Sequence, residues 1–214
     1  MPEWAVIQAM WQKLSGGGDR YLHRFEHPLP VNDALKTLDV GCGGKKARGA
    51  VGIDRLDIPG VDIIHDLNVF PYPFKDDEFD RIILDNCLEH LNEPLDVLAE
   101  LHRVARDDAL VHIIVPHYSS CDYFTDPTHR HAFSSRSFDY LIPGTRLARY
   151  RYAEATPFAK QSVRIVVATG IATLDRLAES VINRFMHPYE LRLAWIFPAS
   201  QIVADLRVVK PRSK

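Results

Sequence analysis

The stretch Thr37–Arg55, TLDVGCGGKKARGAVGIDR, decides the fold. Its first four residues are an apolar run that predicts a buried strand. The run ends in Gly41-Cys42-Gly43-Gly44, a turn whose missing Cβ atoms let a ligand approach the backbone closely. A second short strand, Ala50–Ile53, is closed by Asp54. In α/β folds such a turn admits the polar part of a nucleoside ligand, and such an acid accepts hydrogen bonds from its ribose hydroxyls.

The spacing of the glycines separates two interpretations of this turn. A dinucleotide fingerprint requires a third glycine where this chain has Lys46, which disfavours a nicotinamide oxidoreductase. The remaining pattern of Asp39, Gly41 and Gly43, with Asp54 closing the next strand, resembles motif I and its partner acid in class I S-adenosylmethionine-dependent methyltransferases.

The link between the two strands is unusually short. Parallel neighbours normally need a crossover of about a dozen residues, usually helical. Residues 45–49 can form only a turn or so, so either the first crossover helix is almost deleted or the two segments are not neighbouring parallel strands. We favour the deletion because Asp54 still closes a strand, as the ligand requires. Lys45, Lys46 and Arg48 then stand where a helix would begin. Exposed, solvated side chains are the favoured interpretation, ahead of contact with a cofactor carboxylate.

Later landmarks follow in the order that the resemblance requires. A third strand is predicted over Val61–His65 and a fourth over Arg81–Leu84. The segment before the fourth strand, PYPFKDDEFD, is similar to the family's LPFPDNSFD run, and DNCLEHL after it is similar to the xxxLEHL pattern. An amphipathic helix over Glu93–Ala105 and a fifth strand over Leu110–Pro116 complete the close resemblance, which covers about residues 37–116.

The resemblance implies an α/β fold, a Rossmann-like doubly wound sheet of seven strands with the last one antiparallel and helices on both faces. The last two strands are expected over Ser162–Ala168 and Gln201–Val209, with a helix over Ile171–Phe185 between them. One methyltransferase domain is expected over residues 1–214. It would include an N-terminal helix and approach segment at 1–36 and an acceptor-side insertion of loop and helix at 117–161.

The implied cofactor is S-adenosyl-L-methionine, with S-adenosyl-L-homocysteine as the product. The first aspartate and the glycines of the turn would hold its methionine part, the acid after the second strand its ribose, and the residues after the third strand its adenine. The transfer site would lie after the fourth strand. The expected cofactor-binding residues are Asp39, Gly41, Cys42, Gly43, Asp54, Arg55, Asp66, Leu67, Asp85 and Asn86.

The segment after the fifth strand, HYSSCDYFTDPTHRH over residues 117–131, is the candidate acceptor loop, and three interpretations stay open. The first is a general base, for which a histidine suits, among His117, His129 and His131. The second is a metal site that would add Cys121 and Asp126 to these, but its spacing matches no standard zinc pattern, and no metal is predicted. The third is a turn and helix cap. Glu89-His90 is likewise either catalytic or a helix start.

The acceptor itself is predicted only by class. A run of the form DPTH…FS…SF..L also occurs in methyltransferases of glycan and natural-product pathways, which favours a small-molecule or glycan acceptor, with O-methylation slightly ahead of N-methylation. An anionic acceptor would suit the cationic run that follows the loop. That run comprises Arg130, Arg136, Arg146, Arg149, Arg151, Lys160 and Arg164.

Composition bounds the partners and the location. A net charge of −2 and the lack of interleaved aromatic residues argue against nucleic acid. No apolar run reaches a membrane span, and acidic Glu3 argues against a signal peptide. Three unpaired-looking cysteines favour reduced thiols in a cytoplasm. The rival interpretation is a cofactor-binding, non-catalytic subunit that activates a partner through an apolar face such as Leu191–Phe197. The wider segment Tyr189–Pro198 is otherwise core or a dimer face.

Overall fold

The computed structural model describes residues 34–210. One seven-stranded sheet runs through them. Its strands are β1 (Thr37–Val40), β2 (Val51–Asp54), β3 (Ile63–Ile64), β4 (Phe79–Asp85), β5 (Ala105–Pro116), β6 (Phe158–Val166) and β7 (Gln201–Val208). The α-helices are α1 (Pro94–Val104), α2 (Cys121–Thr125), α3 (Tyr152–Ala155), α4 (Ala172–Arg184) and α5 (Met186–Arg192). Short 3₁₀ helices span Leu88–His90, Ser137–Leu141 and Arg146–Tyr150.

The strand order is β3-β2-β1-β4-β5-β7-β6. Strands β1 to β5 pair in parallel, and β7 is antiparallel to both β5 and β6. This confirms the predicted doubly wound sheet of seven strands. The order reverses between β1 and β4, which places a topological switch point at their carboxyl ends, where open α/β sheets bind ligands.

The first crossover is shortened as predicted. Residues 41–50 contain no helix, although β1 and β2 pair in parallel with Leu38 opposite Val51. Oδ2 of Asp39 accepts a hydrogen bond of 2.7 Å from the backbone N–H of Ala47, so the strand itself holds the crossover in place. Lys46 forms an ion pair with Asp62 at 2.6 Å and thus has a partner within the fold.

The core lies between the sheet and α1. Pro94 at the first turn suits the helix start, since its missing N–H would have no intrahelical partner there. The helix buries Val97, Leu98, Leu101 and Val104 against the sheet. On the side of β1 to β3, where residues 41–78 form no helix, an irregular segment supplies Leu67 and Tyr72 to the same core.

The apolar face of α4 is exposed. The expected helix is present, but the side chains that share its apolar face remain between 50% and 65% accessible: Leu174, Leu177, Val181 and Phe185. The segment Leu191–Phe197 is core only in part: Ala194 is fully buried, whereas Trp195, Ile196 and Phe197 are each at least 65% exposed. Periodicity identified an apolar face, but it does not say what covers that face.

The N-terminal helix predicted near Trp4–Leu14 and the approach segment after it lie outside the described residues. None of the helices within residues 34–210 is both long and apolar enough to cross a membrane.

Candidate functional site

The glycine turn lies at the carboxyl ends of β1 and β2. Gly41 has a φ of +70°, and its N–H donates a hydrogen bond of 2.8 Å to the carbonyl oxygen of Ile53. A Cβ atom at Gly41 would lie 2.3 Å from Sγ of Cys87, closer than real contacts allow. Both the backbone conformation and the packing therefore require glycine at this position.

Asp54 ties the turn to the second strand. Its Oδ2 accepts from the N–H of Gly43 at 2.9 Å and its Oδ1 from the N–H of Leu56 at 3.0 Å. Gly43 has a φ of +50°, and a Cβ there would meet no atom within 4 Å, so open space lies over the turn. A carboxylate has about four acceptor positions, and two remain for the hydroxyls of a ribose. The turn and the acid thus fit a nucleoside ligand.

The other residues expected at the cofactor differ in exposure. Arg55 and Asp66 are exposed, whereas Leu67 is buried and its Cδ1 would lie 3.8 Å from a Cβ at Gly41. The side chain of Leu67 therefore supports the turn from within the core. Burial, followed by the nearby carboxylates, raises the pKa of Cys42 to about 11, so this thiol is neutral at pH 7.

Asp85 and Asn86 follow β4 on the other side of the switch point. Nδ2 of Asn86 donates to Oδ1 of Asp85 at 2.7 Å, and the Asn86 backbone adopts a φ of +49°. Oδ1 of Asn86 accepts a hydrogen bond of 3.4 Å from Nε2 of Gln201. Gln201 reaches this position because it begins β7 and pairs with Pro116 at the end of β5. The sheet order brings the ends of β2, β1 and β4 to one edge, as the predicted site requires.

A cluster of Glu89, His90 and His129 lies just beyond this edge. Burial raises the pKa of Glu89 to about 8. Burial and then the neighbouring His129 lower the pKa of His90, so its neutral form is favoured at pH 7. The cluster forms because the N–H groups of Arg130 and His131 both donate to the carbonyl oxygen of Glu89, at 2.8 and 3.3 Å. Nε2 of His131 itself lies 3.1 Å from the carbonyl oxygen of Asn92.

His117 lies apart from the other two predicted histidines. It is fully buried, and its Nδ1 accepts from the N–H of Ser119 at 3.1 Å. The proton of the neutral ring is then on Nε2, which lies 3.4 Å from Oε1 of Glu190. A base role for His117 stays a prediction, and this geometry disfavours it because the ring has no free lone pair.

The turn that one interpretation of the acceptor loop expects is present. Oδ1 of Asp126 accepts from the N–H of Thr128 at 2.8 Å, which forms the expected turn. The five-residue metal grouping is not assembled: the cluster that could hold an ion joins His129 to Glu89 and His90 instead. In the sequence, the adjacent Glu89 and His90 after a strand were the available signal for this cluster. Their contact with His129 could not be predicted, because it depends on how the acceptor loop packs against them.

A depression of about 440 Å³ opens beside this loop. Its lining includes Tyr118, Arg136, Tyr140 and His187. Arg136 lies 3.4 Å from Asp139, which also pairs with Lys160, so part of the predicted cationic run is neutralised locally.

Comparison with known proteins agrees with this geometry. Residues 38–113 match the model of the methyltransferase type 11 family, described as a methyltransferase domain. That match spans β1 to β5 and thus the whole candidate cofactor edge. The resemblance to class I S-adenosylmethionine-dependent methyltransferases is confirmed over these residues. The match supports S-adenosylmethionine as the cofactor.

Solved structures extend the similarity of fold to nearly the whole chain. An S-adenosylmethionine-dependent methyltransferase from Archaeoglobus fulgidus is 15% identical, with 94% of this chain and 99% of that chain covered and a TM-score of 0.57. A Listeria monocytogenes protein assigned to the same class is 13% identical, with coverages of 95% and 100% and a TM-score of 0.51. At these identities the likeness shows the fold alone. A comparison with curated protein sequences finds no match.

Proposed function

We propose that this protein is an enzyme that transfers a methyl group from S-adenosylmethionine to a small-molecule or glycan-type acceptor, with oxygen slightly favoured over nitrogen. The observation that carries the proposal is the hydrogen bond between Gly43 and Asp54, which fixes an open glycine turn next to the acid proposed to bind the ribose. The family match over the same strands supports it.

The roles of the chain's residues follow from this geometry. Gly41 and Gly43, shaped by Asp39, would hold the methionine part, and Asp54 would accept the ribose hydroxyls. Asp66 with Leu67 would flank the adenine, with Arg55 and Cys42 nearby. Asp85 and Asn86 would line the transfer site, where positioning of the two reactants supplies much of the acceleration. When bound, S-adenosylmethionine supplies an activated methyl group.

We also propose that a histidine of the acceptor loop acts as a general base. A hydroxyl acceptor benefits from proton removal by about 10²–10⁴-fold. His129 and His131 lie beside the end of β4, whereas His117 lies in a separate buried contact, so we favour the first two. Full turnover in each of the three single alanine variants would refute the base role.

We also propose that the acceptor is anionic and that the protein forms a homodimer. The arginines after the acceptor loop support an anionic acceptor. The exposed face of α4 and Leu191–Phe197 supports a homodimer. A cytoplasmic location and a single domain over residues 1–214 stay predictions, and they agree with three cysteines that form no disulfide.

The alternative is a non-catalytic subunit that binds the cofactor and activates a partner through the same apolar face. One solved complex with the same fold joins the Trm112 methyltransferase activator of Haloferax volcanii to a methyltransferase-assigned protein that is 16% identical to this chain, at a TM-score of 0.50. Methyl transfer by the purified chain alone would remove this alternative.

Binding and turnover test the proposal separately. S-adenosylmethionine, S-adenosylhomocysteine and NAD are titrated calorimetrically into the purified protein. We expect the first two to bind and NAD not to bind. The labelled methyl group is then followed into a panel of sugar, nucleotide-sugar and phenolic acceptors. Lack of binding by S-adenosylmethionine would overturn the proposed function.

A further inference from the structure

Glu89, His90 and His129 bring their polar atoms together at the mouth of the proposed transfer site. Each offers one ligand atom, and these atoms lie within 4.8 Å of one another. Nε2 of His129 is 3.8 Å from Oε1 of Glu89, and the two imidazole rings are 4.6 Å apart between centroids. Glu89 and His90 belong to the 3₁₀ helix directly after β4, so a ligand of this cluster would lie next to Asp85 and Asn86.

The carboxylate of Glu89 is fully buried, and neither of its oxygens has a hydrogen-bond partner among residues 34–210. Burial favours the neutral form of this carboxyl group, and a bound cation would stabilise its ionised form, because buried charges are normally paired or coordinated to metals. Two histidines face this carboxylate, and their tautomers decide whether they can act as ligands or as proton donors.

The hydrogen bonds of Thr128 fix the tautomer of His90. Oγ1 and the N–H of Thr128 both donate to Oδ1 of Asp126, at 2.7 and 2.8 Å. The hydroxyl has only one hydrogen, so Oγ1 must accept the bond of 2.9 Å that it shares with Nδ1 of His90. Nδ1 of His90 therefore carries the proton, and Nε2 of the neutral ring has a free lone pair.

His129 is held in the same tautomer by a different group. Its Nδ1 lies 2.9 Å from the carbonyl oxygen of Tyr123, which can only accept, so Nδ1 is the donor. In the neutral ring the lone pair of Nε2 then faces the Glu89 carboxylate, an arrangement that a bound cation would stabilise. An imidazole that donates its second N–H to a carbonyl or hydroxyl oxygen is the usual arrangement of metal-binding histidines.

From these contacts we propose that Glu89, His90 and His129 bind a divalent transition-metal ion, and that the ion's open position takes a hydroxyl oxygen of the methyl acceptor. Two imidazoles and one carboxylate suit zinc, iron, cobalt or nickel better than magnesium, and three protein ligands leave a position open. The role of the ion in methyl transfer rests on the proposed function, whereas ion binding does not.

The acceptor in this proposal is a hydroxyl compound. Coordination favours loss of its proton to water, as it does for metal-bound water. The resulting oxygen forms a bond to the methyl carbon, the carbon–sulfur bond breaks, and its electron pair stays on sulfur. The products are the methyl ether and S-adenosylhomocysteine. His129 then acts as a ligand, and this role replaces the base role proposed for it above.

The first test titrates Co²⁺, Zn²⁺ and Mg²⁺ separately into chelator-treated, full-length protein. We expect one Co²⁺ or Zn²⁺ per chain, bound more tightly than Mg²⁺, and a visible Co²⁺ spectrum typical of low-coordinate nitrogen and oxygen ligation. Acetohydroxamate, an oxygen-donor probe, should change that spectrum because a position is open. No stoichiometric Co²⁺ or Zn²⁺ binding by the wild-type protein would overturn the proposal, and an unchanged spectrum would overturn the open position.

Variants locate the ion. Glu89→Gln and His129→Ala should each weaken Co²⁺ binding at least about 100-fold. Thr128→Val removes the hydroxyl that His90 and Asp126 share and should weaken it about 10-fold. The matched control His131→Ala, in the same loop but outside the cluster, should bind Co²⁺ as the wild type does. Unfolding curves establish that each variant is folded. Wild-type affinity in folded Glu89→Gln would contradict the proposal.

Calorimetry with S-adenosylmethionine separates the two proposals. Asp54→Ala should lose the cofactor and keep Co²⁺, whereas Glu89→Gln should keep the cofactor and lose Co²⁺. If the wild type binds S-adenosylmethionine but no transition metal, only the metal site fails. If it binds the metal but not S-adenosylmethionine, the ion stands and the proposed function fails.

Discussion

The backbone N–H of Gly43 donates a hydrogen bond of 2.9 Å to Oδ2 of Asp54, so the glycine turn and the acid that should bind a ribose are one unit. A change at Asp54 therefore acts twice. It removes an acceptor for the ligand, and it also removes the contact that holds the turn.

Asp54→Ala should weaken binding of S-adenosylmethionine at least about 30-fold, since hydrogen bonds to a charged group contribute roughly 2 kcal/mol. Asp54→Asn keeps one oxygen acceptor and should lose less. Calorimetric titration measures both affinities. Asp57→Ala, an exposed acid in the same loop, is the control and should bind normally. Unchanged affinity in Asp54→Ala would exclude this residue from the cofactor site.

Gly41→Ala should destabilise the protein by about 3 kcal/mol. The new Cβ would meet Sγ of Cys87 at 2.3 Å, and the φ of +70° disfavours any side chain. Gly43→Ala, at a φ of +50° with open space around it, should cost only about 1 kcal/mol. Urea unfolding measures both. The cost of Gly41→Ala should fall in a Cys87→Ala background, and equal costs in both backgrounds would show that the sulfur is not the obstacle.

Glu190 should contribute a pH-dependent part of the stability. Burial raises its pKa, but the contact with His117 and the hydrogen bonds from Ser135 outweigh burial and hold the pKa below its ordinary value. Stability from this group is therefore present above the ordinary glutamate pKa, near 4.3, and is lost as the pH falls through the lower folded-state pKa. Glu190→Gln should cost roughly 2 kcal/mol at pH 7.

The check on Glu190 is a series of unfolding curves for the wild type and Glu190→Gln between pH 7 and pH 3. The difference between their free energies of unfolding should shrink as the pH falls. A difference that stays constant with pH would mean that the charge of Glu190 is not what stabilises this contact.

The exposed apolar face should mediate self-association. Trp195, Ile196 and Phe197 are each at least 65% exposed, and Leu177 on α4 is equally open at 65%. We expect sedimentation to show a dimer that Trp195→Asp dissociates, whereas Leu56→Asp, an exposed leucine beside β2, leaves it intact. A wild-type protein that is monomeric at all concentrations would remove the homodimer.

The sequence predicted those parts of the fold that local patterns determine. Thr37–Val40, the glycine turn and Asp54 are contiguous, so their strand–turn–acid arrangement could be read directly and is present. The start of β6 at Phe158 was missed because Ala159, Lys160 and Gln161 give no apolar run. The solvent exposure of Leu174 and Leu177 also could not be read, since an apolar face is the same in sequence whether or not it is covered.

The candidate site was harder to predict because its parts lie far apart in the chain. Glu89 and His129 are 40 positions apart, and they meet through backbone bonds from Arg130 and His131 to the carbonyl of Glu89, which no side-chain pattern encodes. His117 and His129 looked equivalent in one loop. The structure separates them because His117 continues directly from the buried end of β5, whereas His129 follows the turn at Asp126.

Because the residues between β1 and β4 form no helix, ligand binding should stabilise this edge of the sheet. Strands β2 and β3 are only four and two residues long, and residues 41–78 supply no helix to brace them. A nucleoside lying across the Gly43–Asp54 contact would take the place of that brace. Cofactor at 100 times its Kd should stabilise the protein by about 2.7 kcal/mol. Amide hydrogen exchange should slow most at Gly52, Ile53 and Asp54, so that the substrate completes the folding of the sheet edge that binds it.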